Sequence, residues 1–279
     1  MRELRPGAPG LPAPPALVVL DVDGTLLTSA HEVGPAAAAQ VRRVRDAGVA
    51  VLLASSRGPR AMLPVLAAVG LTDGTDFVGT QGALTGRYDA AGPLHVLDRR
   101  PAPVDAARAV VAAATGAGLA VGWYAGERWL VSHVDPTIAR EARVVHDTPE
   151  VADLLAQDEG PDKLMIIAPT PDAVEVLRRL AAALPTGLTA QISNPTYLEI
   201  TRRDVDKASA VARWCEQRGI APSTVVAIGD GPNDLGLFAF AGSSVAPATA
   251  RPEVAAAATW LTRGNDDDGV AWALSVLVP

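Results

Sequence analysis

The chain is short of several things, and each shortage removes a class of protein. It has one cysteine, Cys215, so neither an intrachain disulfide nor a cysteine-based zinc site is available. No run approaches the ~18 apolar residues that a membrane-spanning helix needs. The opening stretch, MRELRPGAPGLPAPP, has Pro and Gly where a signal peptide carries an apolar segment. A basic excess is also missing. The formal charge of −7 argues against a general nucleic-acid binder, although local Lys, Arg or metal still permits a phosphate substrate. No internal repeat is evident. The expectation is a soluble, cytoplasmic protein with a flexible, Pro-rich tail over residues 1–15.

What is present is an ordinary globular balance, 49% hydrophobic and 20% charged. The length of 279 residues suits one large domain or two smaller ones. The most informative stretch is Leu17 to Leu27, LVVLDVDGTLL. Four apolar residues in a row, Leu17-Val18-Val19-Leu20, predict a strand buried on both faces. In an extended chain Asp21 and Asp23 then share one direction at its carboxyl end. Gly24 lets the chain leave at an unusual angle. Two close carboxylates repel unless a cation or a shared proton offsets them. The pair is therefore a candidate divalent-metal site, or a nucleophile beside a general acid/base. A bare Asp-x-Asp equally fits two solvated carboxylates in a turn.

Further along, Pro35–Ala47 reads as a helix with Gly48 as its stop, and Val49–Ala54 as a second buried strand. Ser55-Ser56-Arg57-Gly58 follows it, then a helix over about 60–69. Residues 76–79 read as a third strand, ending in Thr80-Gln81-Gly82. This alternation predicts parallel, right-handed βαβ units. The middle differs in texture: a hairpin over 84–99, a helix over 104–115, paired strands over 119–124 and 128–133, a strand over 163–168, a helix over 172–184 and a last strand pair. It reads as an α+β insert. The parallel pattern resumes with a helix over 206–218. The strand Thr224–Ile228 then runs into Gly229-Asp230-Gly231-Pro232-Asn233-Asp234. Asp266, Asp267 and Asp268 read as the solvated start of a final helix rather than a calcium loop.

Four strand ends thus carry polar groups: Asp21 with Asp23, Ser55, Gln81 and Asp230. In open α/β sheets ligands bind outside the carboxyl ends of the strands, so these residues converge on one site. Asp21 and Asp230 offer hard oxygen ligands suited to Mg²⁺. Ser55 and nearby backbone N–H groups sit where a helix begins, a natural anion site. Lys207 in the first turn of a helix gains nothing from the macrodipole, and by itself reads as a surface lysine.

In order, Asp21-Val-Asp23-Gly24-Thr25-Leu, Leu53-Ala-Ser55-Ser56-Arg57, Lys207 and Gly229-Asp230-Gly-Pro-Asn233-Asp234 make a pattern. It resembles the haloacid dehalogenase (HAD) superfamily, and within it the Cof-like phosphatases with a C2-type cap. The resemblance spans about residues 16–278. It implies a Rossmann-like core over 16–83 and 202–279, with an inserted α+β cap over 84–201 that closes over the site and selects the leaving group. It implies a Mg²⁺-dependent hydrolase of a small phosphorylated metabolite. In that scheme Asp21 is the nucleophile, Asp23 the general acid/base, Ser55 a phosphoryl ligand and Lys207 the charge that orients Asp21. The metal lies on the Asp21 and Asp230 carboxylates and the Asp23 carbonyl. Asn233 and Asp234 support it, and Gly24, Ser56, Arg57, Gln81 and Gly82 line or shape the site. No obligate protein partner is implied.

The chain departs from the family pattern twice. Ser56 stands where the family has Gly, so a positive φ there would be strained. Gln81 stands where the group often has Asn. Trp123, Tyr124, Arg128, His133 and Tyr197 are the cap candidates, with core packing the plainer reading for the aromatics. A phosphomutase and a non-catalytic phosphometabolite-binding regulator stay open as alternatives.

Overall fold

The computed structural model describes residues 2–8, 11, 14–89 and 92–278, and for Ser193 and Asn194 the backbone alone. Two sheets organise it. The first is built in chain order from β1 (Leu17–Leu20), α1 (Pro35–Asp46), β2 (Ala50–Ala54), α2 (Pro59–Val69) and β3 (Asp76–Gly79). A hairpin follows, β4 (Leu84–Tyr88) and β5 (Leu94–Arg99). The chain then builds the second unit from α3 (Val104–Gly116), β6 (Val121–Ala125), β7 (Arg128–Val131), α4 (Pro136–Val145) and β8 (Glu150–Val151). The same unit continues with β9 (Lys163–Ile167), α5 (Pro171–Ala182), β10 (Leu188–Asn194) and β11 (Tyr197–Arg202). It returns to the first sheet through α6 (Lys207–Arg218), β12 (Val225–Ile228), α7 (Leu235–Phe240), β13 (Ser243–Pro247), α8 (Pro252–Ala257), β14 (Trp260–Thr262) and α9 (Gly269–Leu277).

The first sheet has the order β14-β13-β12-β1-β2-β3-β4-β5, parallel from β14 to β3 and antiparallel beyond. Strand β1 lies between β2 and β12, where the winding of the chain reverses. Such a switch point opens a crevice at the carboxyl ends of its strands, and Asp21 follows β1 directly. Both faces of β1 are covered. Val18 and Leu20 pack into one apolar cluster with α1 and α9, and Leu17 and Val19 into another with α6 and α7. Four fully buried aliphatic side chains, each worth roughly 1.5–3 kcal/mol of transfer free energy, anchor this strand.

The second sheet has the order β10-β11-β9-β6-β7-β8. One face packs on α3 and α5 through Trp123, Leu164, Ile166, Leu198 and Ile200. The other carries Tyr124, Trp129, Met165 and Ile167 against α4 and against Ala61 of α2. This second face is the one turned to the first domain, which is why it bears the polar residues of the site.

Two expectations change. The hairpin over 84–99, expected in the insert, extends the first sheet through β3–β4 pairing. A core ending at residue 83 therefore cuts that sheet. The expected free tail is partly docked: Glu3 bridges Leu261, Leu4 N donates to Leu261 O at 2.8 Å, and the Leu4 side chain is buried. Met1, Pro9, Gly10, Pro12 and Ala13 of that stretch lie outside the described residues. The three acids before α9 are exposed, as expected of the solvated start of a helix that begins at Gly269. Asp266 accepts from Ser29 N at 2.7 Å, and Asp268 takes φ 58° at the helix start.

Candidate active site

The chain turns sharply after β1. Asp21 is extended, and a non-helical turn over Val22–Leu26 follows, closed by Leu27 N donating to Val22 O at 2.9 Å, with Gly24 at φ 79°. A Cβ at Gly24 would lie 2.5 Å from Asp230 Oδ2, so only glycine lets this loop approach the loop after β12. Asp21 and Asp23 reach one cavity through this turn rather than along an extended strand, and they differ in surroundings. Asp21 is buried, whereas the Asp23 side chain is 41% exposed.

Lys207 is the first residue of α6 and is fully buried, which overturns its reading as a surface lysine. The capping box of Asp206 and Ser209 fixes the start of that helix, with Ser209 N donating to Asp206 Oδ1 at 2.7 Å. Gly82, at φ 97°, packs against the Asp206–Lys207 backbone, where an added Cβ would overlap the Asp206 carbonyl. From this anchorage Lys207 Nζ donates to Asp21 Oδ1 at 2.5 Å and to Asp234 Oδ1 at 2.9 Å. The other Asp234 oxygen accepts from the backbone N–H groups of Asp230 and Gly231, both at 3.1 Å. Asp230 Oδ1 accepts from Thr25 Oγ1 at 3.1 Å.

Asp21, Asp230 and Asp234 thus gather within 4.8 Å of one another around one lysine. Burial first, then Asp234, pushes the Asp21 pKa well above the usual carboxylate range, against the pull of Lys207. Burial also raises Asp230, with Asp234 adding to it. Burial alone would lower Lys207, but Asp21 and Asp234 more than offset this and raise it. The cluster is short of positive charge, and its donors are hard oxygens, the combination a divalent cation relieves. Both oxygens of Asp234 already accept hydrogen bonds, so Asp21 and Asp230 are the carboxylates with room for an ion.

Arg57 holds Asp23 in a two-point pair, Nε to Oδ2 at 2.9 Å and Nη2 to Oδ1 at 2.7 Å. His31 Nδ1 lies 4.0 Å from Asp23 Oδ1. Ser55 is buried behind this pair, and its Oγ accepts from Arg57 N at 3.1 Å. Ser56 is absent from the non-glycine residues with positive φ, so its Cβ brings no strain. The strain sits elsewhere: Thr80 and Gln81 have φ of 48° and 59°. The Gln81 side chain is engaged by the protein. Its Nε2 donates to Glu199 Oε2, and its Oε1 accepts from Asn233 Nδ2 at 3.3 Å.

A cavity of about 270 Å³ lies between the two sheets. Asp21, Asp23, Ser56, Arg57, Asp230 and Asn233 line it from the first domain. Across it stand Tyr124, Tyr197 and three residues not picked out beforehand: Glu141, Lys163 and Glu199. Lys163 Nζ donates to Glu199 Oε1 at 2.5 Å and to the Ser56 carbonyl at 2.7 Å, with the Tyr124 ring 4.8 Å away. Tyr197 Oη donates to Glu141 Oε2 at 2.7 Å. The other cap candidates lie apart. Trp123 is core, Arg128 pairs with Glu150 on the surface, and His133 is exposed. Charges inside apolar strands, Lys163 in KLMII and Glu199 in YLEIT, were the available signal, since buried charge needs a reason.

A profile described as haloacid dehalogenase-like hydrolase matches residues 18–274. The pyridoxal phosphate phosphatase of Escherichia coli is 25% identical over 265 residues, covering 91% of this chain and 96% of its own. The phosphoglycolate phosphatase of Methanoculleus marisnigri is 26% identical over 262 residues, covering 94% and 96%. A crystal structure of a haloacid dehalogenase-like hydrolase from Bacteroides thetaiotaomicron superposes with a TM-score of 0.83 at 27% identity, over 93% of this chain and 98% of that one. The chain belongs to the haloacid dehalogenase-like hydrolase family and is a phosphatase of that family.

Proposed function

We propose that the chain is a Mg²⁺-dependent phosphomonoester hydrolase that acts on a small phosphorylated metabolite through an aspartyl-phosphate on Asp21. One observation carries this reading: a buried Asp21 at the sheet's switch point, bonded to Lys207 and facing Asp230 at the floor of a covered cavity. A carboxylate oxygen of Asp21 forms a bond to phosphorus as the bond to the leaving oxygen breaks, and Asp23 gives that oxygen a proton. Asp23 then takes a proton from water, which attacks phosphorus and frees Asp21. Arg57 holds both Asp23 oxygens with one hydrogen bond each, which leaves a lone pair on each for the proton. Ser55 and the N–H groups leading into α2 hold the phosphoryl oxygens, while Lys207 offsets their charge and orients Asp21.

The Asp21 and Asp230 carboxylates, with the Asp23 carbonyl, would hold Mg²⁺, and Asn233 and Asp234 would support them. When bound, the ion supplies positive charge against the carboxylates and the phosphoryl oxygens. The cavity suits a small leaving group and is faced by the second sheet. The test is phosphate release from a panel of phosphomonoesters with Mg²⁺, with EDTA, and with Asp21→Asn. Release that needs Mg²⁺ and is lost in the variant is expected. Binding of phosphometabolites without release from any ester would sink hydrolysis.

A further inference from the structure

Gln81 is buried behind the cavity wall that Asn233 and Glu199 line. The chain holds it there against backbone strain, with Thr80 and Gln81 at positive φ one after the other. Three neighbours fix that backbone. Thr80 N donates to Arg57 O at 2.8 Å, Gln81 N donates to Ser55 O at 3.1 Å, and Gly82 packs on the Asp206–Lys207 backbone. From this post the Gln81 side chain reaches two groups in different domains, Glu199 of β11 and Asn233 of the Asp230 loop. The direction of the series follows from chemistry. Glu199 is ion-paired with Lys163 at 2.5 Å, and an ionised carboxylate only accepts. It therefore takes Gln81 by the Nε2 group, which turns Gln81 Oε1 to Asn233. That oxygen in turn takes Asn233 by the Nδ2 group at 3.3 Å, so Asn233 Oδ1 lies on the other side, over Gly231. A Cβ on Gly231 would lie 2.6 Å from Oδ1, so glycine leaves that oxygen its place. Each amide presents oxygen on one side and N–H on the other, and each partner dictates the next.

We propose that Gln81 is a positioning residue that relays the docking of the second domain to the metal side of the site. The Glu199 carboxylate fixes the Gln81 amide, and Gln81 fixes Asn233 with its oxygen, rather than its N–H₂, on the Asp230 loop. The inference deepens the Mg²⁺ reading above and rests on it. An oxygen there adds to the hard acceptors that suit a cation or its bound water, and an N–H₂ in the same place opposes them. Without Glu199 against Gln81, both amides lose their assigned direction. The second domain thus acts on metal holding through two neutral side chains, without a ligand of its own.

The test is Mg²⁺ binding to the full chain by calorimetry without substrate, with hydrolysis of para-nitrophenyl phosphate alongside. Glu199→Gln keeps an acceptor for Lys163 but turns an N–H₂ toward Gln81, which reverses both amides. It is expected to weaken Mg²⁺ binding about ten-fold. Gln81→Met, close in volume, changes no charge and removes both side-chain bonds, and a loss of about ten-fold is expected again. Glu199→Gln combined with Gln81→Glu places a carboxylate between two N–H₂ groups and so returns Asn233 to its direction. That double variant is expected to recover affinity to within about three-fold of the unaltered protein. Unchanged affinity in Gln81→Met would make Glu199 a distant charge and overturn the relay, as would a double variant no better than Glu199→Gln. Should Gln81→Met fail to fold, Glu199→Gln and the double variant decide. Neither Mg²⁺ binding nor release in the unaltered protein overturns the hydrolase reading and the relay together. Mg²⁺ binding and release that all the variants share overturn only the relay.

Discussion

The two walls of the cavity are made differently. The first-domain wall is a set of strand and helix ends tied by charge: Lys207 to Asp21 and Asp234, Arg57 to Asp23, Asp234 to the backbone of the Asp230 loop. Each member is within a few residues of a strand terminus, and each is held by another member. The second-domain wall is a sheet face and a helix flank. Its polar residues come from β6, β9, β11 and α4 and are set among apolar neighbours. The first arrangement suits one unchanging reaction. The second touches the first at two points, Lys163 on the Ser56 carbonyl and Glu199 on Gln81, and no residue of it bonds Asp21.

Substitutions can break that contrast. Asp21→Asn is expected to lower phosphate release on the order of 10⁴-fold or more for every substrate alike. Removing metal with EDTA should abolish release reversibly. Returning Mg²⁺ should raise the melting temperature, by about 2.7 kcal/mol of stability at a hundred times Kd. The pH dependence has a definite sign. Burial and neighbouring carboxylates raise Asp21 and Asp230, so protons compete with the ion above the ordinary carboxylate range. Apparent Mg²⁺ affinity, measured by titration at several pH values, should therefore fall as pH falls.

Much of the first wall was legible from the sequence, and the reason is local. A doubly covered strand reads as an apolar run, so the polar residue that ends it stands out, as Asp21 and Asp230 do. Gly24, Gly82 and Lys207 are fixed instead by distant partners, Asp230, Asp206 and Asp21, which is why Lys207 by itself read as a surface lysine. The second wall was mostly illegible because its positions depend on non-local pairing. The α4 helix carried a start signal in Asp135-Pro136, but Glu141 interrupts its apolar stripe and hid the pattern. Lys163 and Glu199 meet only because β9 and β11 pair antiparallel. The β4–β5 hairpin reads as a hairpin in either domain, and only its pairing with β3 assigns it to the first sheet. Leu4 gave no signal, since its partner Leu261 is near the other end of the chain.

Gly82→Ala sharpens the contrast from the structural side. It touches no substrate, yet the added Cβ meets the Asp206 carbonyl at a positive φ. A loss of about 2 kcal/mol or more is expected in thermal or denaturant melts, with Lys207 displaced as a consequence. Lys163→Met, on the other wall, should act on selection. Relative kcat/KM between substrates is expected to shift about ten-fold, while kcat on the best one stays within about ten-fold. A uniform fall in kcat across all substrates would place Lys163 with the reacting groups instead. The smallest effect concerns Cys215, on neither wall. Burial pushes its thiol up to about 11, so at pH 8 it should react slowly with thiol reagents in the native protein and rapidly in denaturant.

The most direct test of the account is an acid quench during turnover with Mg²⁺ and a good substrate, followed by mass spectrometry of the peptides. The account predicts a phosphoryl group on the peptide that contains Asp21, lost on return to turnover conditions and missing in Asp21→Asn. A phosphoryl group on a different residue, or continued turnover in Asp21→Asn, would contradict it.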